Sequence, residues 1–436
     1  MTASGSCLTN FKMAMLYERW QQIARAGRDQ IALTDLTTGR RWTFCELASA
    51  GEAGAASPGP VAFPRGVSAE FIFTVLRAWR ANQVVCPLEP DQAAPVLAGD
   101  LPAGVVHLKT TSATTGEPRL VAFTAAQLLA DAQNIVTTMG LRADWPNLGV
   151  ISLAHSYGFS NLVLPLLLHG IPLVLVGAAL PEAVRRAAAS ARALTLAAVP
   201  ALWRTWQAAD AIPAQVRLGI SAGAPLPLAL EQNVFAMRGL KIHNFYGSTE
   251  CGGIAYDATA GPRLDGACVG SPLRNVAVSV TAEGCLEVRS GAVAETYWPE
   301  AAATLRGGVF HTSDLAEICF GLIYLRGRAS DQINVAGRKV PPETIERALA
   351  AHPRVRECLV FGVPSAEAER GESIVACLAV RTDVTSETLR QFLMASLPAW
   401  QVPRQWWFVA SLGTNERGKL SRAEWRKRYL ETAGRA

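Results

Sequence analysis

The sequence predicts an α/β protein of two domains. The expected architecture is a large N-terminal α/β domain with layered sheets and a small β subdomain, joined by a hinge to a smaller C-terminal α+β domain. Up to about residue 325, short apolar strands alternate with Ala- and Leu-rich helices, and a new α+β pattern follows. The chain has 436 residues, and a single hydrophobic core stops growing at about 250–300 residues. We therefore expect domains at 1–327 and 328–436.

The first 325 residues predict a largely parallel sheet covered by helices. Residues 31–47, IALTDLTTGRRWTFCEL, indicate two short strands around a Thr-Gly turn and then a helix. Helical periodicity from Phe71 to Ala81 leads into VVCPLEP, a buried strand that ends at prolines. Strands are then expected at VAF, LGVISL, IPLVLV, LTLAAV and VRLGISA, with helices between them. That alternation is typical of parallel sheets.

The pattern changes near residue 270. The stretch VGSPLRNVAVSVTAEGCLEVRSG alternates as half-exposed antiparallel strands do and predicts the small β subdomain. After YLRGRASDQ come a predicted helix (PPETIERALAAH), two strands (ECLVFGV and SIVACLAV) and a helix over 386–397. Residues 50–61, AGEAGAASPGPV, predict a loop.

Composition excludes several function classes. Half of the residues are hydrophobic and 18% are charged, as in a folded protein. The net charge is only +5, and no run of Lys and Arg with interleaved aromatic residues occurs, so no nucleic-acid partner is expected. The nine cysteines form no CxxC pair and no metal-type spacing, which predicts reduced thiols in a cytoplasmic protein.

The longest apolar run, NLVLPLLLHGIPLVLVGAAL from Asn161, predicts a buried helix and strand rather than a membrane span. Pro165, His169, Gly170 and Pro172 interrupt it. The N-terminal stretch MTASGSCLTNFKMAMLYERW has charges within its apolar part and therefore does not read as a signal peptide.

Five stretches could carry chemistry, although each alone has an ordinary explanation. TTSATTGEPR, residues 110–119, offers hydroxyls and a flexible Gly116 to a phosphate, but alone it is a solvated loop. In HNFYGSTEC, residues 243–251, an aromatic ring could stack on a purine. Thr249 could donate to a phosphate and Glu250 could bind Mg²⁺, but alone the stretch is a turn.

The remaining three lie further along the chain. FHTSDLAEI places Asp314 at the start of a predicted strand, where it could accept both ribose hydroxyls or merely cap a turn. YLRGRASDQINVAGRKVPPETIE covers residues 324–346. In NERGKLSR, residues 415–422, Lys419 follows a glycine and could face an anion or belong to a solvated basic tail.

Together and in this order, the five stretches resemble the motifs of the adenylate-forming superfamily, which includes acyl- and aryl-CoA synthetases, adenylation domains and luciferases. TSATTGEPR is similar to the family's TSGTTGxPK, YGSTE to YGxTE and TSDL to TGDL. GRASDQINVAGRKV is similar to GRxDDxIKxxGxxV, and NERGKLSR ends in the GKxxR pattern. HSYGFS from His155 and SAGAPL from Ser221 also fit. The resemblance spans residues 15–425.

The resemblance implies an ATP-dependent ligase that uses Mg²⁺ and CoA, or the phosphopantetheine of a carrier protein. A carboxylate attacks the α-phosphorus of ATP, pyrophosphate leaves, and a thiol then captures the acyl-adenylate. Catalytic roles are implied for Lys419, Thr249, Glu250 and His155, with Glu250 holding the metal ion. Implied nucleotide-binding positions are Thr111, Ser112, Thr114, Thr115, Gly116, Ala222, Gly223, Ala224, Asn244, Phe245, Tyr246, Gly247, Ser248, Asp314 and Arg328.

Further roles follow from the same resemblance. Ser330 is the implied hinge, and Ala336 and Gly337 the implied passage of the pantetheine arm. The implied acid pocket comprises His155, Phe159, Asn161, Gly219 and Gly247. These residues are mostly small or apolar, which favours an aryl or medium aliphatic acid over an amino acid. His155 could instead be a satisfied core residue.

Several positions depart from the family pattern. Ala113 and Ser313 replace glycines, Arg119 replaces a lysine but keeps the charge, and Ser330 replaces the usual hinge Asp or Lys. The part before TTSATTGEPR is also shorter than in most members, so the sequence indicates no oligomeric state.

We therefore expect a carboxylic acid:CoA ligase acting on a small-molecule acid. One alternative is an adenylating enzyme that loads an acyl or peptidyl carrier protein. The other is an inactive homologue that binds a nucleotide or serves as a scaffold.

Overall fold

The computed structural model describes residues 4–97, 99–111, 119–189, 191–365, 371–381, 384–413 and 421–433. For residues 4–14 and 433 it describes the backbone only. The first elements are α1 (Ser4–Ala26), β1 (Ile31–Asp35), β2 (Arg40–Thr43), α2 (Phe44–Ala53), β3 (Val61–Ala62), α3 (Ala69–Arg80), β4 (Val84–Val85), β5 (Val105–Thr110), β6 (Leu120–Thr124) and α4 (Ala125–Met139).

The next elements alternate between helix and strand, as the sequence predicts. They are β7 (Asn147–Gly149), α5 (Ser156–Gly158), a π-helix (Phe159–Val163), α6 (Leu164–His169), β8 (Leu173–Leu175), α7 (Pro181–Ala188), β9 (Leu194–Ala198), α8 (Pro200–Ala208), β10 (Val216–Ser221), α9 (Leu228–Arg238) and β11 (Ile242–Ser248). The long apolar run from Asn161 thus forms buried helix and then strand, and the helix ends at Gly170, whose φ is +71°.

A set of mostly antiparallel strands follows. It consists of β12 (Gly252–Tyr256), β13 (Cys268–Pro272), β14 (Val276–Val280), β15 (Cys285–Ser290), β16 (Thr296–Trp298), β17 (Leu305–Arg306), β18 (Val309–Cys319) and β19 (Leu322–Arg328).

The C-terminal part contains a 3₁₀ turn (Ala329–Asp331), β20 (Ile333–Val335), β21 (Arg338–Val340), α10 (Pro342–Ala350), β22 (Val355–Pro364), β23 (Glu372–Val380), α11 (Ser386–Met394), a second 3₁₀ turn (Ala399–Gln401), β24 (Gln405–Phe408) and α12 (Arg422–Ala433). Here β20 pairs with β21, and a three-stranded sheet has the order β22-β23-β24. The apolar cluster includes Ile333, Ile345, Ile374 and Leu389. The predicted fold class is confirmed.

The central sheet is parallel over β11-β10-β9-β7-β8-β1, and β2 closes its edge in antiparallel pairing. All five residues of β9 are buried, as expected for a strand covered on both faces. A second sheet has the order β16-β6-β5-β4-β3. The two sheets form the predicted layers.

The β subdomain is continuous with the central sheet rather than separate from it. Its strands follow the order β14-β15-β18-β19-β13, and β13 pairs with β12, which pairs with β11. One local prediction is wrong: Asp314 lies in the middle of β18 rather than at the start of a strand. The strand begins earlier because Val309 already pairs with Arg289 of β15.

Among the helices of the described ranges, none combines the length and the apolar character that crossing a bilayer requires.

Candidate active site

The base of the loop TTSATTGEPR is a β-hairpin neck. The backbone N–H of Thr111 donates to the carbonyl of Arg119 (2.9 Å), and the N–H of Arg119 donates to Oγ1 of Thr111 (3.0 Å). The neck continues the antiparallel pairing of β5 with β6. The loop positions Ser112, Thr114, Thr115 and Gly116, together with Ala113, lie outside the described residues, as does Lys419.

The turn that carries Thr249 and Glu250 joins β11 to β12. The N–H of Glu250 donates to Oγ of Ser248 (3.2 Å), and its carbonyl accepts from the N–H of Ala294 (2.8 Å). Its half-buried carboxylate accepts a hydrogen bond at Oε1 from the hydroxyl of Tyr297 (3.1 Å). Backbone and side chain of Glu250 are therefore both held in place.

Tyr297 connects this turn to the loop neck. It lies in β16 opposite Val121 of β6, the strand that follows Arg119. The guanidinium carbon of Arg119 lies 5.6 Å from the centroid of the Tyr297 ring. Burial and the adjacent Glu250 carboxylate raise the pKa of Tyr297, so its hydroxyl remains a donor at neutral pH.

Asp314 forms a second cluster with Tyr246 and Arg328. Its Oδ2 accepts from the Tyr246 hydroxyl, and its Oδ1 accepts from Nε of Arg328 (3.1 Å). Asp314 and Arg328 are opposite each other in the β18–β19 ladder. Burial and the Asp314 carboxylate raise the pKa of Tyr246, which keeps this ring neutral.

The segment Ala222–Ala224 follows β10 beside the middle of β11. Ser221 is paired with Asn244, and the N–H of Ala222 donates to the carbonyl of Ala198 (3.2 Å). Gly223 has a φ of +86°, a backbone conformation that favours glycine. Asn244 and Phe245 are buried within β11, while Gly247 is exposed.

His155 caps the N-terminus of α5, where Nδ1 accepts from the N–H of Tyr157 (3.3 Å). The Tyr157 hydroxyl in turn donates to the carbonyl of Ile220 (3.4 Å), which holds this helix against β10. His155 is thus brought towards the strand that contains Gly219. The interpretation of His155 as an acid-pocket residue stays a prediction.

The side chains of Phe159 and Asn161 are buried in the core rather than exposed in an open pocket. The Phe159 ring lies 4.3 Å from the His107 ring. Nδ2 of Asn161 donates to the carbonyl of Tyr157 (3.1 Å). Both side chains contact core groups, and their predicted contact with the acid is untested.

The predicted hinge and pantetheine residues lie on exposed turns. Ser330 is in the first 3₁₀ turn, where its hydroxyl donates to Oδ1 of Asp331 (3.1 Å). Ala336 and Gly337 form the turn between β20 and β21, with φ values of +53° and +79°. Their roles as hinge and pantetheine passage stay predictions.

The described residues fit a nucleotide and a magnesium ion. A carboxylate has about four lone-pair sites, and Asp314 uses one on each oxygen, so each oxygen can still accept a ribose hydroxyl. In the described part of the chain, His, Cys, Asp and Glu side chains form no group of three that could hold a metal ion alone. Mg²⁺ is commonly bound by one or two carboxylates plus nucleotide phosphates, and Glu250 can supply such a carboxylate.

Comparisons with known proteins identify the family. A model described as AMP-binding enzyme matches residues 102–298, and one described as AMP-binding enzyme C-terminal domain matches residues 344–419. This chain belongs to the AMP-binding enzymes. The predicted superfamily is thereby confirmed.

Individual AMP-binding enzymes are similar over most of their length. A probable 2-succinylbenzoate--CoA ligase of Mycobacterium tuberculosis is 30% identical over 347 residues, covering 76% of this chain and 86% of the relative. Fatty acid--[acyl-carrier-protein] ligase ScoC of Streptomyces coeruleorubidus is 28% identical, covering 82% and 72%. The fold is similar to that of ATP-bound MatB from Rhodopseudomonas palustris, with a TM-score of 0.83, 20% identity and coverage of 95% and 99%.

Sequence reasoning missed two side chains in this AMP-binding enzyme. Tyr297 lies in TYWPE, where nothing marks it as a partner of Glu250. Arg422 belongs to the GKxxR motif, but only the structure shows its partners, the carboxylates of Asp331, Glu343 and Glu346. Because Asp331 adjoins Ser330, Arg422 connects the start of α12 to the predicted hinge.

Proposed function

We propose that this AMP-binding enzyme joins an aryl or medium aliphatic carboxylic acid to CoA by way of an acyl-adenylate. One observation carries the proposal: Tyr246 and Glu250 lie at the same end of β11. Tyr246 is hydrogen-bonded to Asp314. Glu250 is hydrogen-bonded to Tyr297, whose ring contacts the neck of the 112–118 loop. The proposal therefore assigns a ribose site and a phosphate site to this one strand end.

The proposed roles follow from this arrangement. Asp314 accepts the ribose hydroxyls and Arg328 holds its carboxylate, while Tyr246 and the backbone of Ala222–Ala224 enclose the adenine. Thr249 and the hydroxyls of Ser112, Thr114 and Thr115 bind phosphate oxygens. Glu250 holds Mg²⁺, which neutralises charge on the phosphates when bound.

In the first half-reaction an oxygen of the acid attacks the α-phosphorus of ATP, and the bond to pyrophosphate breaks. The role proposed for Lys419 is to bridge the acid carboxylate and the ribose-phosphate oxygens, so that its cation stabilises the charge that develops. In the second half-reaction the CoA thiolate attacks the acyl carbon and AMP leaves. The pantetheine arm passes Ala336 and Gly337, and rotation at Ser330 separates the two steps.

The acid class is inferred from the residues around His155. The segment from Gly219 to Gly223 and the turn at Gly247 offer small groups, and the adjacent side chains of Tyr157 and Phe245 are aromatic, with centroids 5.9 Å apart. An apolar acid suits such a lining. Similarity to a ligase named for 2-succinylbenzoate, an aromatic acid, supports this choice.

A second candidate function transfers the acyl group to a carrier protein. Similarity to a ligase named for an acyl carrier protein supports it. So does α12, on which Arg426, Lys427 and Arg428 are exposed, because an acidic carrier would be attracted to such a basic surface. The CoA 3′-phosphate would be attracted as well.

The free thiols of the eight cysteines whose side chains the structure describes support a cytoplasmic location, which is part of the proposal.

Acid-dependent exchange of pyrophosphate into ATP, measured across a panel of aryl and aliphatic acids, tests the first half-reaction. We expect exchange with an apolar acid and its loss in Lys419→Ala. Arg417→Ala removes a cation from the same segment and should retain exchange. If no acid supports exchange, the chain is an inactive homologue and the proposal is wrong.

Release of AMP with CoA, compared with release in the presence of a phosphopantetheinylated carrier, tests the acceptor. The first candidate requires a thioester with CoA. A thioester formed with the carrier alone would favour the second candidate.

A further inference from the structure

A buried charged cluster lies beneath the candidate site, at residues to which the proposed mechanism assigns no role. Lys109 in β5 and Asp131 in α4 have side chains that are 3% and 2% exposed, and Nζ lies 3.9 Å from Oδ2. Lys109 also lies 4.6 Å from the centroid of the Phe123 ring. Taking two charges out of water is costly, and hydrogen bonds must offset that cost.

The two carboxylate oxygens of Asp131 hold two different segments. Oδ2 accepts from the hydroxyl of Ser160 (2.6 Å), which lies in the π-helix next to Phe159. Oδ1 accepts from the backbone N–H of Gly253 (3.1 Å), three residues after Glu250. One side chain therefore bridges the acid-pocket helix and the turn that carries the metal carboxylate.

The backbone of the turn is shaped for this contact. Gly252 has a φ of +66°, and a Cβ at that position would collide with Oδ1 of Asp131. Glycine thus lets the turn approach the carboxylate closely. The π-helix is a wider turn that is frequent at functional sites, and Ser160 lies inside it.

Lys109 completes the bridge from the side of the phosphate loop. Its Nζ donates to Oγ of Ser160 (3.2 Å), and it lies two residues before Thr111 in the loop neck. Burial lowers the pKa of Lys109, and the neighbouring Asp131 carboxylate offsets part of that shift.

We propose that Asp131, neutralised by Lys109, is a positioning residue that fixes the acid-pocket helix relative to the Glu250 turn. This inference rests on the proposed function, because the two segments then carry the acid and the phosphates. The bridge sets the distance between the attacking carboxylate and the α-phosphorus. A small misplacement of reacting groups lowers the rate strongly.

Asp131→Asn weakens the bridge with little change of shape, because the amide carries no charge and has a single acceptor oxygen. With that oxygen on the N–H of Gly253, the amide NH2 faces Ser160, whose hydroxyl must turn from donor to acceptor. Lys109→Met/Asp131→Asn removes both charges and so avoids an uncompensated buried ion that could prevent folding. Ser160→Ala removes the hydrogen bond between Asp131 and the acid-pocket helix but leaves the bond from the N–H of Gly253 in place. Asn134→Ala is the matched control, since Asn134 is equally buried on α4 and bonds instead to Ser290 and Asn275.

Pyrophosphate-exchange kinetics, measured well below each variant's melting temperature, give the first readout. In Asp131→Asn and in the double variant we expect kcat to fall roughly 10- to 100-fold and the KM for the acid to rise, with the KM for ATP unchanged. Ser160→Ala should raise mainly the KM for the acid, and Asn134→Ala should change neither constant. Unchanged kinetics in the double variant, or equal losses in Asn134→Ala, would overturn the proposal.

Amide hydrogen exchange gives a second readout that needs no substrate. Loss of the bridge should speed exchange in residues 156–163 and 249–256 together, whereas Asn134→Ala should not. If the parent enzyme activates no acid, the proposed function fails but this readout still tests the bridge. Unaltered exchange in both segments of Asp131→Asn and of the double variant would refute the bridge itself.

Discussion

The hydroxyl of Tyr297 donates a 3.1 Å hydrogen bond to Oε1 of Glu250, and the same ring lies 5.6 Å from the guanidinium carbon of Arg119. A single aromatic side chain therefore links the carboxylate proposed to bind Mg²⁺ with the neck of the proposed phosphate loop. The bond leaves further lone pairs on Glu250 for a metal ion, so it orients the carboxylate without occupying it fully.

Tyr297→Phe should raise the Mg²⁺ concentration that gives half-maximal pyrophosphate exchange by about tenfold, because a hydrogen bond to a charged group contributes about 1.5–3 kcal/mol. The measurement is a magnesium titration of the exchange rate. Tyr17→Phe is the matched control, since Tyr17 donates to Glu52 (3.3 Å) on the surface of α2. Equal magnesium dependence in the parent and in Tyr297→Phe would contradict the orienting role.

Asp314→Asn should weaken nucleotide binding more than acid binding. The amide loses the charge-assisted bond from Arg328 and one acceptor for the ribose, so we expect the KM for ATP to rise roughly tenfold. Steady-state kinetics with each substrate varied in turn provide the measurement. Glu317→Gln, which breaks the Arg326–Glu317 pair on the same hairpin, should leave both KM values unchanged. A larger effect on the acid than on ATP would show that Asp314 is misassigned.

Arg422→Gln should destabilise the C-terminal domain. Three carboxylates, those of Asp331, Glu343 and Glu346, would lose their shared cation, and removing one partner of a buried ion pair costs about 3–5 kcal/mol. Because the Arg422 side chain is 20% exposed, we expect the lower end, about 3 kcal/mol. Urea denaturation measures the change, with Arg390→Gln in an exposed pair as the control. Equal losses in the two variants would contradict this role.

His107→Phe should reduce the loss of stability in acid. Burial, together with the charge of Lys109, holds the pKa of His107 well below its usual value of 6.5. Below pH 6.5 His107 therefore binds a proton in the unfolded chain but stays neutral in the folded chain. The free energy of unfolding consequently falls as the pH falls. Each such proton contributes a slope of up to about 1.4 kcal/mol per pH unit. Denaturant midpoints between pH 7 and pH 5 provide the measurement, and parallel curves for parent and variant would contradict the prediction.

Ala336→Gly should stabilise the turn between β20 and β21. Ala336 has a φ of +53°, a left-handed conformation that costs a residue with a Cβ about 1–2 kcal/mol. Glycine's larger entropy in the unfolded chain offsets part of this, so we expect a net gain of about 0.5 kcal/mol in thermal or urea denaturation. Gly337→Ala, at a φ of +79°, should have the opposite sign. A loss of stability in Ala336→Gly would show that the turn is not strained.

The sequence by itself determined the family, the fold class and the alternation of short strands with helices ahead of the β subdomain. Apolar runs such as LTLAAV predicted the parallel strands, because burial on both faces requires continuous hydrophobic residues. Ordered motifs such as YGSTE and TSDL predicted roles for Glu250 and Asp314, and those roles stay predictions.

Only the tertiary structure decided which side chains support those groups. Tyr297 reaches Glu250 because β16 joins the sheet of β6, and Asp131 bridges Ser160 and Gly253 because α4 packs between their segments. Lys109 stands out in the sequence as a lysine within the apolar strand VVHLKT. Nothing in the sequence indicates that its partner is Asp131 on a helix. Contacts between residues distant along the chain depend on how sheets and helices pack, and local periodicity carries no record of that packing.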